Sequence, residues 1–255
     1  MNRTEGAQAI GRAAEILRVV ALTQRSGATL PKVCRATNLS RSTAFRILRS
    51  LKEERLLDYD EETHRYFIGP LAYELGLSAH APSDRIVELR ERIKSIALRS
   101  ELTTYLVVRS DTDVVCLGIA QGSAVIRAVP LDIGQRLPLG VGAGSLAILS
   151  SLEDVEVNAI LAANAHKLTL YGGGRLTPAA LRKRIALTRE CGYAYSQGSV
   201  AAGIAGVGIM LFSSDSVQQL AVSVSLPANQ IDKDEQVRLI GIIRKSVKAD
   251  EAAFA

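Results

Sequence analysis

Residues 29–59, TLPKVCRATNLSRSTAFRILRSLKEERLLDY, constrain the fold more than any other stretch of the chain. Thr29 is placed to cap a short helix whose first turn holds Pro31, where a missing N–H costs nothing. Leu30, Val33 and Cys34 share one side of that helix, which runs out at Asn38. Ser40 is a second N-cap, and a longer helix is expected to about Arg55. Its apolar residues Ala44, Ile47, Leu48 and Leu51 follow the i, i+3, i+4, i+7 spacing of a buried stripe. The opposite face shows Arg41, Ser42, Phe45, Arg46 and Arg49. Two helices joined by a tight turn, the second basic on its outside, read as a helix-turn-helix that meets double-stranded DNA.

The next residues extend that reading. Residues 56–59 (LLDY) and 65–68 (RYFI) read as two short strands joined by a polar turn over 60–64. A hairpin directly after such a helix makes a winged helix-turn-helix. From Arg12 to Arg55 there are ten Lys/Arg against three Glu, a local excess of +7 in a chain whose net charge is +5. A charge excess that coincides with the helix-turn-helix points to phosphate neutralisation rather than to a merely solvated face.

Residues 6–76, with GAQAIGRAAEILRVV, LPKVCRATNLSRSTAFRILRSLKEERLL and YFIGPLAYELG, resemble the DNA-binding domain and linker of the IclR family of bacterial transcriptional regulators. The rest of the chain resembles that family in order, more loosely. The first turns of the second helix are expected in the major groove. Arg41 and Arg46 are then expected at guanine edges or flanking phosphates, and Arg49 and Arg65 at the backbone. Thr29, Ser42, Thr43 and Phe45 complete the expected DNA-contact set.

A chain of 255 residues, 47% of them hydrophobic, suits two folded domains better than one core. The expected organisation is 1–69 DNA-binding, 70–82 linker helix, and 83–255 effector-binding and oligomerisation. No apolar run reaches the roughly 18 residues of a membrane span, and the N-terminus lacks a signal-peptide core. Cys34, Cys116 and Cys191 lie far apart without CxxC spacing, against a disulfide frame or a zinc site. The expected compartment is the cytoplasm, with no membrane partner.

Beyond the helix-turn-helix, residues 9–23 read as an amphipathic helix with Ile10, Ala13, Ala14, Leu17, Val20 and Ala21 inward. Residues 70–78 read as a linking helix carrying Leu71, Leu75 and Leu77, stopped by Pro82. A helix over 83–100 turns Ile86, Leu89, Ile93, Ile96 and Ala97 inward. Strands are expected over 103–109, 114–121 and 123–129, then a turn-rich stretch over 134–144 and helices over 145–150 and 153–163. Thr177 and Pro178 open another helix, running to about Cys191. Strands over 193–197, 204–212 and 220–225 and a helix over 232–249 close the chain. The expected fold is an N-terminal winged helix-turn-helix joined by a linker helix to an α+β domain with an antiparallel sheet. By resemblance that second domain is GAF-like.

Enzyme chemistry finds little footing. Gly140, Gly142 and Gly144 have the wrong spacing for a dinucleotide loop, and no GxSxG elbow occurs. His64, His80 and His166 lack metal spacing, His64 reading as a wing-tip residue and the other two as turn residues. Each thiol reads as a small core residue. No enzyme activity, cofactor or metal is expected.

The resemblance implies an effector pocket. Its first loop corresponds to residues 137–147, with Gly140 where the family has His and Leu146 where it has Lys. Gly192-Tyr193-Ala194 leads to Ser196 in the family's first acidic position, and Gly206 stands where a cysteine is usual. The last pocket strand keeps its pattern as Ala221, Ser223, Ser225 and Pro227. Ala143, Gly144, Ser196, Gly206, Ser223 and Ser225 are the expected effector contacts, with Gly206 and Gly208 enlarging the space. A larger, less charged pocket suits an aromatic or branched carboxylic acid. The expected assembly is a homodimer or a dimer of dimers on a near-palindromic operator, as a repressor or an activator. A DNA-binding protein whose second domain only oligomerises, without a small-molecule effector, is the alternative.

Overall fold

The computed structural model describes residues 7–23, 26–78, 84–124, 131–211 and 218–248. Its contacts divide the chain into two units, Met1–Asp84 and Arg85–Ala255. The first unit runs α1 (Gln8–Ala21), α2 (Leu30–Thr37), α3 (Arg41–Glu53), β1 (Leu57–Asp60), β2 (Arg65–Ile68) and α4 (Pro70–Ser78). Each helix start has its chemical reason. Thr29 Oγ1 accepts the Lys32 N–H at 3.4 Å, and Ser40 Oγ accepts the Thr43 N–H at 3.3 Å. Asn38 ends α2 in the left-handed region at φ 53°, which a short polar side chain tolerates.

Ile16, Val20, Val33, Ala44, Leu48 and Leu57 form the centre of this unit's core. The inward face expected for α1 holds at Val20, with Ala13 and Leu17 packed partly buried against the core, and is corrected at Ile10 and Ile16. Ile16 and Val20 are its buried residues, whereas Ile10 is 73% exposed. Nearly every position in AAEILRVVA is apolar, so the stripe's phase is set by packing on α2 and α3 rather than by periodicity. β1 and β2 pair antiparallel from Leu57↔Ile68 to Asp60↔Arg65, and Ala28 bridges to Tyr66 on the other side. That third rung needs Gly27 at φ 63°, since a Cβ there would lie 2.6 Å from Phe67 Cζ. α4 buries no residue. The stop expected at Pro82 falls outside the described residues.

The second unit runs α5 (Asp84–Ser100), β3 (Thr103–Ser110), β4 (Asp113–Ala120), β5 (Arg136–Pro138), α6 (Ala143–Ser150) and α7 (Asp154–Leu168). It continues with α8 (Pro178–Cys191), β6 (Ala194–Gln197), β7 (Ile204–Leu211), β8 (Leu220–Pro227) and α9 (Lys233–Lys248). The sheet is antiparallel in the order β5-β4-β3-β8-β7-β6. On one face Ile93 and Ile96 of α5 and Leu239 and Ile243 of α9 pack with Leu106, Val222 and Val224 of the strands. On the other, Leu146, Ile148 and Leu149 of α6 pack with Tyr105, Val107 and Ala221. All eight residues of α6 are buried, with α8 packed on it and α7 against α8 and β5.

Three expectations change. Ser123 and Ala124 lie in no strand, and residues 125–130 fall outside the described residues. The strand beside β4 is instead β5, in a stretch expected only to turn; three residues ending in proline are too few to show an alternation. α7 continues past residue 163 to Leu168, because Asn164 and Leu168 extend the buried stripe of Val157, Ile160 and Leu161. His166 is therefore on a helix and not in a turn.

Candidate functional site

The outer face of α3 is exposed from its first turn. Arg41, Ser42, Phe45, Arg46 and Arg49 all face solvent, while Ala44, Leu48 and Leu51 anchor the helix from beneath. Phe45 is 51% exposed, an aromatic ring left in water on a helix otherwise apolar only underneath. Arg49 makes an exposed ion pair with Glu53 at 2.9 Å, which a phosphate could displace at small cost. Thr43 is half-buried and its Oγ1 accepts from Ser40 Oγ at 2.9 Å, so part of its hydrogen-bonding capacity serves the cap.

Arg65 is less free than its position suggests. Its Nη1 donates to the carbonyls of Ser26 and Gly27, at 2.7 and 3.4 Å, holding the turn before α2. The wing tip is acidic, with Asp60, Glu61 and Glu62 in succession. Asp60 accepts the N–H groups of Glu62 and Thr63 at 2.9 and 3.1 Å, and backbone and side-chain hydrogen bonds from Thr63 hold its carboxyl below the ordinary range. An acidic tip repels phosphate, so α3 rather than the wing tip carries the attractive field.

In the second unit one cavity is lined by Ala143, Gly144, Ser196, Gly206, Ser223 and Ser225 together. It leaves about 60 Å³ for the centres of water-sized spheres, several times the roughly 10–15 Å³ one water needs. Strand register explains the convergence. Ser223 and Ser225 alternate on one face of β8, and Gly206 pairs with Ser225 on one side and Ser196 on the other. α6 points its start at them. Gly142, its N-cap at φ 87°, has no side chain to offer, so no side chain caps the first-turn N–H groups. The rest of the lining includes Val107, Leu131, Leu137 and Ile204, and among the described residues no charged side chain contributes to it.

Three lining residues were not singled out from sequence. Tyr105 lies directly across from Ser223 and hydrogen-bonds Ser225, and burial pushes its hydroxyl well above the ordinary tyrosine value. Ser145 is committed to the loop, accepting the Gly140 N–H at 2.9 Å and donating to Pro138 O at 3.3 Å. Ser199 accepts from Arg184 Nη1 at 2.7 Å, which leaves its own hydroxyl hydrogen available. Tyr105 could have been found only from the cross-strand register, and Ser199 sits in a turn without periodicity.

The expected role of the two glycines in enlarging the cavity is corrected. A Cβ on Gly206 would lie 2.6 Å from Val224 O, so that glycine permits a close approach of backbone. A Cβ on Gly208 would lie 3.0 Å from Ala143 C and from Gly144 N, so it seats the start of α6 against the sheet. Elsewhere, Cys116 is buried and desolvation pushes its thiol to about 12, which suits a core residue and not a nucleophile. Among the described residues no group of three or more His, Cys, Asp or Glu could hold a metal, and no helix is long and apolar enough to cross a membrane.

A winged helix-turn-helix with a basic exposed helix, followed by an α+β domain with a cavity at the start of α6, defines a two-domain DNA-binding transcriptional regulator. Residues 9–61 match the IclR helix-turn-helix domain, and residues 84–250 match the bacterial transcriptional regulator IclR C-terminal domain. The chain belongs to the IclR family, whose members are transcriptional regulators and not enzymes. It is 22% identical over 252 residues to the transcriptional repressor IclR of Escherichia coli, covering 97% of this chain and 90% of that one. Among solved structures it resembles an IclR transcriptional regulator from Alicyclobacillus acidocaldarius, with TM-score 0.76, 23% identity, and 96% and 98% of the two chains covered. It also resembles an IclR homologue from Microbacterium hydrocarbonoxydans complexed with 4-hydroxybenzoate, with TM-score 0.71, 19% identity, and 96% and 99% covered.

Proposed function

We propose that this chain is a ligand-responsive regulator in which residues 1–69 read DNA, 70–82 link, and 83–255 bind a small carboxylic acid and oligomerise. Arg41 and Arg46 reach guanine edges or flanking phosphates, with Ser42, Phe45 and Arg49 beside them. Thr29, Thr43 and Arg65 lie at the flanks, each partly committed to holding its own helix or turn. The effector's carboxylate sits at the start of α6, where uncapped N–H groups carry partial positive charge. Ser196, Ser223 and Ser225 complete its hydrogen bonds, and Val107, Leu131 and Leu137 take the body of the acid.

The observation that carries this reading is the meeting of hydroxyls, an uncapped helix start and apolar walls at one cavity to which no charged side chain among the described residues contributes. An anion meets donors there and no carboxylate. The relative complexed with 4-hydroxybenzoate supports an aromatic acid as the first compound to try. With no lysine or arginine among the described lining residues, affinity is expected to be moderate.

A thermal-shift panel of small carboxylic acids, 4-hydroxybenzoate included, tests it. A true effector raises the melting temperature with its occupancy and changes operator affinity. The double substitution Ser223→Ala, Ser225→Ala is expected to abolish both responses while effector-free operator binding persists. A panel without any response, on a protein that still binds its operator, favours a second domain that only oligomerises. A dose–response unaltered by the double substitution places the effector elsewhere.

A further inference from the structure

A second, larger depression of about 1070 Å³ lies beside the cavity, between the start of α9, the 171–176 turn, α8 and β6. The 198–203 turn separates the two, and Val200 lines both. Among the described residues its charged lining consists of Arg175, Arg184 and Lys233, with no Asp or Glu facing it. Lys233 has acidic sequence neighbours in Asp232, Asp234 and Glu235, but Glu235 is engaged by Arg238 and Asp232 accepts the Glu235 N–H. None of the three cations makes an ion pair among the described residues.

Arg184 is the informative one. It is half-buried, and its hydrogen-bond partner is a neutral hydroxyl, Ser199 Oγ at 2.7 Å. A guanidinium taken partly out of water is normally matched by a carboxylate. Desolvation accordingly pulls its pKa below the ordinary arginine value. The polar walls lean the same way. Tyr195 donates to Gln197 Oε1 at 2.8 Å and Tyr193 donates to Gln236 Oε1 at 3.1 Å. Each bond takes up one lone pair of an amide oxygen, and neither uses the N–H donors of the two glutamines. Tyrosine rings and the Leu176 and Val200 side chains supply flat and apolar surface between these donors.

We propose that this groove is a second anion site, separate from the cavity, which takes an organic phosphate or carboxylate with a ring body through Arg184, assisted by Arg175 and the Gln197 amide. Cationic donors without a facing carboxylate select the charge, and the tyrosines select the ring. Because Arg184 also holds Ser199, an occupant of the groove competes for the guanidinium that orients a wall of the cavity.

Phenyl phosphate is the probe, titrated calorimetrically into the full-length protein at low salt, with phenol as its neutral counterpart. Phenyl phosphate is expected to bind and phenol to give no heat. Arg184→Gln should weaken phenyl phosphate about tenfold or more, Arg184→Lys should restore part of that, and Ser223→Ala, Ser225→Ala should leave it unchanged. If Arg184→Gln melts early, Arg175→Gln takes its place, with a severalfold loss expected. No binding by the wild-type protein overturns the proposal, as does equal affinity in the arginine variants. Loss confined to the serine double variant would put phenyl phosphate in the cavity and overturn the groove while sparing the effector reading.

Discussion

Ser40 performs two tasks at once: its Oγ accepts the Thr43 N–H and bonds the Thr43 hydroxyl, so the first turn of α3 is held before any DNA arrives. A preorganised turn presents Arg41, Phe45 and Arg46 without further cost in ordering the backbone, leaving only their side chains to be fixed on binding. Replacing Arg46 with Ala is expected to weaken operator binding by about 1–3 kcal/mol if the guanidinium is bidentate to guanine. Unchanged affinity in both Arg41→Ala and Arg46→Ala, read by fluorescence anisotropy, would remove these residues from the contact set. Cys116 offers an independent check on the core. Its neutral thiol is favoured by burial, so its contribution to stability is complete below about 9 and is lost as pH climbs toward about 12. Cys116→Ala should flatten that part of the alkaline stability curve. Under native conditions iodoacetamide is expected to label exposed Cys191 and to reach Cys116 only on unfolding.

At the scale of elements, α6 is the piece on which the second unit depends. It is buried along its whole length, and it packs onto the sheet so closely that a Cβ at position 208 would lie 3.0 Å from the backbone of Ala143 and Gly144. Gly208→Val should push the start of α6 off the sheet, costing about 1–3 kcal/mol in a denaturant melt and weakening any ligand held at that start. A melt unchanged by this substitution would mean the helix has slack. The helices with caps were legible beforehand: Thr29, Ser40 and Thr177 each mark a start, and stripes such as Ile86, Leu89, Ile93 and Ile96 mark a face. α6 itself was placed two residues late, since a start at Ala143 after Gly142 carries no polar cap. β5 was invisible at three residues. The six expected cavity residues were reached through family resemblance, whereas Tyr105 and Ser199 depend on register and turn geometry, which periodicity does not encode.

At the scale of the whole molecule, one helix-turn-helix reads too few base pairs for useful specificity, so a dimer on a near-palindrome is the expected binding form. The first unit has surface to spare for it. Ile10 is 73% exposed on α1, and Tyr73, Leu75 and Leu77 are 71%, 54% and 69% exposed on α4. Sedimentation at micromolar concentration is expected to show dimers or tetramers; monomer alone, with and without operator, would rule the assembly out. The sheet order has a consequence in time. In the first unit each helix and strand packs on others nearby in the chain, whereas β3 pairs with β8 more than a hundred residues later. During synthesis β3, β4 and β5 emerge without β8, and the cavity walls contributed by Ser223 and Ser225 do not exist until late. A nascent chain thus completes its DNA-binding unit before the cavity has all its walls, so under the proposed function newly made regulator passes through an interval without a response to effector.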